Sequence, residues 1–359
     1  MHGTATAAPK TRNVLTSAQL PKHTTLALLV TALAVSFGIL AVLGAASWLS
    51  GIALGAALFY VTSYALSAAV EGTRKAKDRL ARNVVTGFFI LALFPLVSLV
   101  WGTVSKGLAR FDGEFLSYSM RNIVGEGGGA VHAIWGTLII TGLATLISVP
   151  IGVLTAIFLV EYTNNPAFRA LGRTIRFFVD VMTGIPSIVA GLFAYTMFSL
   201  FLGPGTNNGL SGAVALSVLM IPTVVRSTEE MLRLVPNELR EASYALGVPK
   251  WRTIGKVVLP TSIAGIVTGV VLGIARVIGE TAPLLVTAGI TASMNLNPLA
   301  DPMATLPVFV YYEYTTPGAV AAPYIERAWA GALTLIIIVM GLNLIGRLIA
   351  WKFAPKAGR

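Results

Sequence analysis

Long apolar runs dominate this chain and restrict it to an all-helical integral membrane protein. Of its 359 residues, 55% are hydrophobic and 11% are charged. A helix needs about 20 apolar residues to cross the hydrocarbon layer, and it hydrogen-bonds its own backbone there. Eight runs reach that length: residues 24–46, 49–70, 84–104, 133–160, 177–201, 211–234, 261–285 and 328–351. The first run is longer than a signal-peptide core and lacks a small-residue cleavage site, so we expect it to be retained.

The basic residues are distributed unevenly around these runs. If the N-terminus is cytoplasmic, 20 of the 26 Lys and Arg residues fall in cytoplasmic segments or at the cytoplasmic ends of spans, 4 in external segments and 2 deep inside spans. The positive-inside rule therefore predicts that both termini are cytoplasmic. The net charge of +11 then reflects topology and contact with membrane lipid, and we expect no nucleic-acid partner. The basic run at 74–82 is interpreted as a topological anchor.

The runs divide the chain into an N-terminal hairpin and a six-span body. Residues 1–82 hold a tail and two spans without buried charge, which is typical of packing or lipid-facing helices; residues 83–359 hold the other six spans. The Gly-rich run at 125–129 lacks the strand and the Lys-Ser/Thr of a phosphate-binding loop, so we interpret it as a flexible external loop. No P-loop occurs in the sequence, and the three histidines are scattered. The sequence therefore predicts no ATPase site, no catalytic residue and no metal site in this chain.

A polar segment between the sixth and seventh runs is predicted to fold outside the bilayer. Pro236 suits the first turn of a helix, and Glu238 and Glu241 place negative charge near the positive end of that helix. Gly247 permits the left-handed backbone that ends it, and Pro249 begins a second helix. The segment therefore predicts an L-shaped pair of short helices.

Two arginines lie inside predicted spans. Arg226 and Arg276 are each 15 residues into an antiparallel span, which places both within roughly 10 Å of the membrane midplane. Glu229 and Glu280 lie one helical turn away from them. Two interpretations remain open: internal ion pairs that neutralise each other, or a polar path in which guanidinium groups bind phosphate or carboxylate oxygens.

Two other patterns predict helix placement. The connection at 161–176 carries arginines at helical spacing with apolar residues between them, which is typical of a helix lying at the membrane interface. The glycines at 265, 269 and 273 form a small-residue stripe. Such a stripe favours close packing against another helix, either of this chain or of a second subunit.

Several motifs resemble the phosphate ABC importer permeases of the PstA type. The segments 184–192, 224–232, 240–251 and 275–285 carry the similarity, which extends from about residue 84 to the C-terminus. The segment 236–260 resembles the loop by which importer permeases dock onto their ATPases. The docking motif is matched by Glu241, Ala242, Ser243, Gly247, Leu259 and Pro260. Ser243 stands where alanine is usual, and the N-terminal hairpin is additional to the six-span pattern.

The resemblance implies an importer permease core of six spans, with the hairpin making eight. It implies a bacterial cell-membrane subunit that forms half of the path for inorganic phosphate, lined by Arg226, Arg276, Glu229 and Glu280. The implied partners are a homologous permease, two copies of an ATPase that uses ATP and Mg²⁺, and an extracytoplasmic phosphate-binding protein; this chain would bind no cofactor. Alternatives are a secondary anion transporter or channel, or an ABC permease for another oxyanion. A membrane-bound transferase would need a catalytic cluster that the sequence lacks.

Overall fold

The computed structural model describes residues 20–21, 23–44 and 47–353, and within these ranges it contains helices and no strand. The predicted all-helical fold is therefore confirmed. The chain forms two compact units, Met1–Val100 and Trp101–Arg359. Most of the predicted N-terminal tail lies outside the described residues.

The first unit contains a helical hairpin, α1 (Thr24–Val42) and α2 (Trp48–Glu71). The two helices approach closely because α2 has glycine at the contact: a Cβ at Gly51 would lie 2.5 Å from Cζ of Phe37. The Ser36 hydroxyl also donates to the Gly51 carbonyl at 2.7 Å. Ser47 caps α2 by accepting a hydrogen bond from the backbone amide of Ser50. Ser47 is therefore the N-cap residue of α2.

The third helix begins earlier than its apolar run. Helix α3 spans Thr73–Gly107, so the basic run at 74–82 forms its first turns and is not a separate connection. Arg79 pairs with Glu71 at 2.8 Å, and the Asn83 amide donates to the Ser63 hydroxyl at 3.0 Å. These contacts fasten the start of α3 to α2.

The second unit includes a 3₁₀ turn at Leu108–Arg110 and is built around a buried central helix. Its helices are α4 (Gly113–Ser117), α5 (Val131–Ile157), α6 (Pro166–Thr183), α7 (Ser187–Leu202), α8 (Gly209–Arg233), α9 (Asn237–Ala245), α10 (Lys250–Thr253), α11 (Leu259–Val277), α12 (Ala282–Thr287), α13 (Leu306–Thr315) and α14 (Ala321–Phe353). Helix α8 packs against α5 and α11, with Leu216, Met220 and Val224 in the same apolar cluster as Ile140 and Val277.

The predicted fifth span is bent. Seven helices of the described residues are long and apolar enough to cross a membrane, or eight if α6 and α7 count as one broken span. These two helices meet at 108° across residues 184–186, so the span predicted at 177–201 is broken and its first residues belong to α6. Pro186 disfavours helical backbone in the residue before it, which explains the break.

The predicted seventh span also differs. One continuous helix runs from Lys250 to Val277, through α10, a π-helical turn (Ile254–Val258) and α11. The second limb of the predicted L is therefore the beginning of the long helix, and Leu259 and Pro260 lie in it. The chain then breaks at residues 278–281 before α12.

The glycine stripe of α11 packs against α8 of the same chain. A Cβ at Gly265 would lie 2.6 Å from Cγ of Met231, and a Cβ at Gly269 would lie 2.5 Å from Cβ of Ser227. Any side chain at these positions would push the two helices apart. The stripe therefore serves packing within this chain.

The Gly-rich run at 125–129 is held in place by charged side chains. The buried Arg327 guanidinium donates to the carbonyl of Gly125 at 2.6 Å, and Arg110 donates to that of Gly128 at 2.8 Å. The Glu114 carboxylate accepts a hydrogen bond from the Gly128 amide at 3.0 Å. The run is therefore a tethered turn rather than the flexible loop expected from its composition.

Candidate functional site

The segment between α8 and α11 turns a sharp corner at a glycine. Pro236, with φ −58° and ψ 141°, directly precedes α9. Gly247 has φ +73°, a region that favours glycine. The amides of Gly247 and Val248 donate to the carbonyls of Tyr244 and Ser243 at 2.9 and 3.2 Å. The predicted end of the helix at Gly247 is confirmed.

A buried ion pair, Glu161–Arg240, fastens this corner to the π-helical turn that follows α5 (Phe158–Tyr162); we call it the anchor pair. Nη2 of Arg240 lies 3.0 Å from Oε1 of Glu161, and their side chains are only 12% and 5% exposed. The same guanidinium donates to the carbonyls of Leu232 at 2.8 Å and Val235 at 2.5 Å, at the end of α8. The Lys250 ammonium group donates to the Glu161 carbonyl. Helices α8, α9 and α10 are thereby tied to one point.

Two small hydroxyl side chains join the limbs of the corner. Ser243 Oγ and Thr253 Oγ1 lie 2.8 Å apart, and both residues are buried. Ser243 is the departure from the alanine of the docking motif, and its side chain faces inward, so the exposed side of α9 is unaltered. Nearby, partial burial raises the pKa of the Tyr244 phenol, and the Glu161 carboxylate adds to that shift.

The outer side of the corner exposes large apolar side chains. Leu246 is 83% exposed and Trp251 is 66% exposed, and the exposed Glu238, Glu241 and Ala242 lie on α9 beside them. Exposed apolar side chains rimmed by charge are typical of a surface that contacts another protein. The motif had indicated the acids and the small residues but not Leu246 or Trp251.

Arg226 lies on the exposed side of α8 and pairs with Asp180 of α6. The guanidinium and the carboxylate are in direct contact, and their side chains are 52% and 55% exposed. Arg226 lies seven residues before the end of α8, which is about 10 Å at 1.5 Å per residue. A charged group facing lipid at that depth is costly. This side of α8 therefore suits a polar path or a subunit contact.

Arg226 does not pair with Glu229, although the interpretation of internal ion pairs required it. Glu229 is buried, and its Oε1 lies 3.3 Å from Nε of Arg176 and 2.5 Å from Nη2 of Arg233. Arg176 also donates to the Leu159 carbonyl at 2.9 Å. Because Glu229 points toward α6 and Arg226 points outward, the sequence spacing of three does not bring them together.

Arg276 lies in the last turn of α11, on the side that meets α8. Its Nη1 is 3.4 Å from Oγ1 of Thr223, and Thr223 lies one turn before Arg226 on α8. The two arginines therefore face the same region. We call Asp180, Thr223, Arg226 and Arg276 the arginine surface.

Arg276 does not pair with Glu280 either, so the interpretation of internal ion pairs is contradicted for both arginines. The described residues contain no ion pair between them, because α11 ends at Val277 and Glu280 lies in the break. The Glu280 amide donates to the Val277 carbonyl at 3.1 Å. The spacing of four residues would bring the charges together only in a continuous helix.

The two helix breaks lie near one another. A Cβ at Gly191 of α7 would lie 2.6 Å from Cα of Pro283 in α12, so the helices that follow the breaks pack together. Val277 shares a cluster with Val224 of α8, which places the second break beside the inner part of that helix. In transporters, helices broken at such depth present their ends to a substrate.

A polar pocket of about 260 Å³ lies between α6, α8 and the end of α5. It opens beside Arg226 and contains three arginines and three acids. Its lining residues are Leu159, Arg176, Val179, Asp180, Arg226, Glu229, Glu230 and Arg233. Within the described ranges, no group of three or more His, Asp or Glu side chains could hold a metal ion.

Sequence reasoning missed Asp180 and Glu161, the two acids that contact the important arginines. Asp180 is the single acid in α6, four residues after Arg176. An acid in an otherwise basic helix indicates that Asp180 pairs with an arginine, but it does not identify Arg226 as that arginine. The partner of Glu161 lies 79 positions away, so no local pattern indicates it.

Comparison with known proteins identifies relatives over most of the chain. The family described as "Binding-protein-dependent transport system inner membrane component" matches residues 148–359. "Phosphate transport system permease protein PstA 1" of Mycobacterium tuberculosis (strain H37Rv) is 44% identical over 279 residues, covering 77% of this chain and 88% of the relative. The PstA of Yersinia pestis is 37% identical over 286 residues, covering 80% of this chain and 93% of the relative.

Solved structures share the fold at low identity. An inward-facing form of the MetNI methionine ABC transporter matches with a TM-score of 0.51 and 21% identity, covering 63% of this chain and 96% of that chain. A bacterial ABC transporter involved in alginate import matches with a TM-score of 0.50 and 14% identity, covering 76% of this chain and 99% of that chain. Both are similar to this chain in fold.

Proposed function

Because this chain belongs to the family of inner membrane components of binding-protein-dependent transport systems, we propose how its residues carry out phosphate import. It is a permease subunit of an ABC phosphate importer, in line with its PstA relatives at 37–46% identity. The observation that carries the proposal is the arginine surface, where Arg226 is exposed on α8 and Arg276 of α11 reaches Thr223, one turn before Arg226. Planar guanidinium groups match the oxygens of phosphate.

In the proposed path, phosphate passes between this chain and a homologous permease. Arg226 and Arg276 face it, and Glu280, in the second helix break, is proposed to lie beside that route. Glu229 is not proposed to line the path, because it pairs with Arg176 and Arg233 and does not contact Arg226. Its role is to position the arginines of the pocket rather than to line the path.

The docking loop, residues 236–260, is proposed to transmit the ATPase movement. Its exposed Leu246 and Trp251 would insert into the ATPase surface, with Glu238 and Glu241 at the rim. The helix from Lys250 to Val277 is unbroken, and its 28 residues span about 42 Å. A displacement at the docking loop would therefore reach Arg276 without passing through a flexible joint.

The proposed assembly contains two permeases, two ATPase subunits that bind ATP and Mg²⁺, and an extracytoplasmic phosphate-binding protein. Both termini and the docking loop would face the cytoplasm, which agrees with the bias of 20 basic residues against 4 in the predicted topology. This chain would hold no ATPase site and no cofactor. The division at 1–82 and 83–359 remains our proposal for where the accessory hairpin ends and the permease begins.

ATP-driven uptake by the reconstituted complex tests this function. Proteoliposomes holding both permeases and the ATPase, supplied with the binding protein, should accumulate labelled phosphate only with ATP, and excess sulfate should not compete. Uptake of sulfate in place of phosphate would support the alternative of another oxyanion. Phosphate flux through this chain without ATPase subunits would support a secondary transporter or channel and contradict the proposal.

A further inference from the structure

The Asp180 carboxylate binds the guanidinium group of Arg226, which is the group proposed to receive phosphate. It lies in the last turn of α6, just before the bend at residues 184–186, and its carboxylate contacts Arg226 directly. Carboxylate and phosphate oxygens accept the same charge-assisted hydrogen bonds from arginine. A phosphate ion that approaches Arg226 therefore meets a guanidinium group that is already bound to a carboxylate.

Arg226 has no other acidic partner among the described residues. The nearest acid in sequence, Glu229, is engaged by Arg176 and Arg233, and Glu230 lines the same pocket without forming an ion pair. The side chains of Arg226 and Asp180 are 52% and 55% exposed on this chain, so water and small ions would reach the pair from the proposed path. A half-exposed ion pair is weak enough for its carboxylate to be replaced by another anion. The anchor pair is nearly buried, so an anion does not reach it.

We propose that Asp180 is an internal competitor for phosphate at Arg226. In the substrate-free state the Asp180 carboxylate neutralises the charge of Arg226. Arriving phosphate displaces the carboxylate, and the carboxylate returns as phosphate leaves. The competition weakens binding and speeds release, which a path needs as much as it needs attraction. This inference rests on the proposed function.

The test measures phosphate binding by the assembled complex without nucleotide, using equilibrium dialysis of labelled inorganic phosphate. Asp180→Asn removes the competing charge while keeping nearly the same shape, so the Kd for phosphate should fall by about two- to fivefold, the range for a half-exposed ion pair. Release of bound phosphate should slow by a similar factor. Asp180→Glu keeps a carboxylate and should remain close to the wild type.

Glu230→Gln is the matched control. It removes one negative charge from the same pocket without breaking an ion pair, so it reports the general effect of pocket charge. The tightening in Asp180→Asn must exceed that in Glu230→Gln. Equal tightening, unchanged binding or weaker binding in Asp180→Asn would each overturn the inference. If the Asn variant does not assemble, Asp180→Ser is measured against the same criteria.

Failure of the competitor role can be distinguished from failure of the proposed function. A wild-type complex that accumulates phosphate with ATP, combined with an Asp180→Asn complex that binds phosphate as the wild type does, would remove only the competitor role. A wild-type complex that neither binds nor transports phosphate would contradict the proposed function itself.

Discussion

Two ion pairs hold arginines in this protein, and they differ in their access to water. The anchor pair, Glu161–Arg240, is nearly buried and its guanidinium also reaches two backbone carbonyls. The Asp180–Arg226 pair is more than half exposed and has no further partners among the described residues. The same chemistry thus produces a fixed joint at the docking loop and an exchangeable contact on the arginine surface.

The difference follows from the cost of leaving a charge unpaired. Breaking a buried pair by removing one partner costs about 3–5 kcal/mol, because the remaining charge stays buried. A half-exposed pair contributes about 0–1 kcal/mol, because water replaces the lost partner. A segment that transmits movement requires a pair that is costly to break, and a substrate path requires a pair that is easily broken.

The largest expected effect comes from breaking the anchor pair. Glu161→Gln should leave the Arg240 charge buried without a partner and destabilise the docking loop by about 3–5 kcal/mol. The complex should lose ATP-coupled uptake and unfold at a lower temperature. The double variant Glu161→Gln with Arg240→Gln should recover part of the stability, since it removes both charges. If the single variant retains wild-type stability, the fixed-joint interpretation fails.

The next effect is expected at Arg276. Arg276→Ala removes charge-assisted hydrogen bonds of about 1.5–3 kcal/mol, so phosphate transport should be abolished or fall by at least about tenfold while the subunits still assemble. Arg276→Lys should also lower transport substantially, because lysine lacks the planar two-donor fork.

The double variant Arg276→Gln with Glu280→Gln decides between path and neutralisation. The two residues form no ion pair in the described structure, so removing both should not restore uptake. Recovery of uptake in an assembled double variant would contradict the role of Arg276 in the path.

A smaller effect is expected at the corner of the docking loop. Gly247→Val forces a β-branched residue into positive φ, which costs about 1–3 kcal/mol, and it should misdirect the start of the long helix. Uptake and transport-stimulated ATP hydrolysis should fall together. Glu241→Ala alters the rim of the docking face without strain and should weaken coupling less. Full activity in both variants would contradict the coupling role.

A still smaller effect is expected from Ser243→Ala. It removes the hydroxyl contact with Thr253 and restores the residue usual in the docking motif. The loss of one hydrogen bond should lower stability by about 1 kcal/mol, measurable as a small drop in the unfolding midpoint of the complex. Uptake should be nearly unchanged, because the Ser243 side chain does not face the docking surface.

The smallest effect is expected from removing the hairpin. Deletion of residues 1–72 leaves α3 complete and removes an even number of spans, so the orientation of the rest is preserved. Assembly and phosphate uptake should persist. Deletion of residues 1–82 also cuts the first turns of α3 and should be the less stable of the two. Loss of assembly by the shorter deletion would show that the hairpin is a subunit contact.

Most of the architecture follows from local sequence patterns. The apolar runs predicted the helices because a membrane span depends on length and composition, which are local. Pro236 and Gly247 predicted the ends of α9 because their preferred backbone angles are intrinsic. The resemblance at 240–251 and 275–285 indicated the importer family before the fold was known.

Only the tertiary structure decided the partners of the charges and the places where spans break. Arg226 contacts Asp180, 46 positions away, and Arg240 contacts Glu161, 79 positions away. Sequence spacing had left open a pairing of each intramembrane arginine with an acid one turn along the same helix. Those pairs do not form, because α8 turns Glu229 toward α6 and because α11 stops before Glu280. Composition determines that a charge lies within a membrane helix, but the packing of neighbouring helices determines which way it points and what it meets.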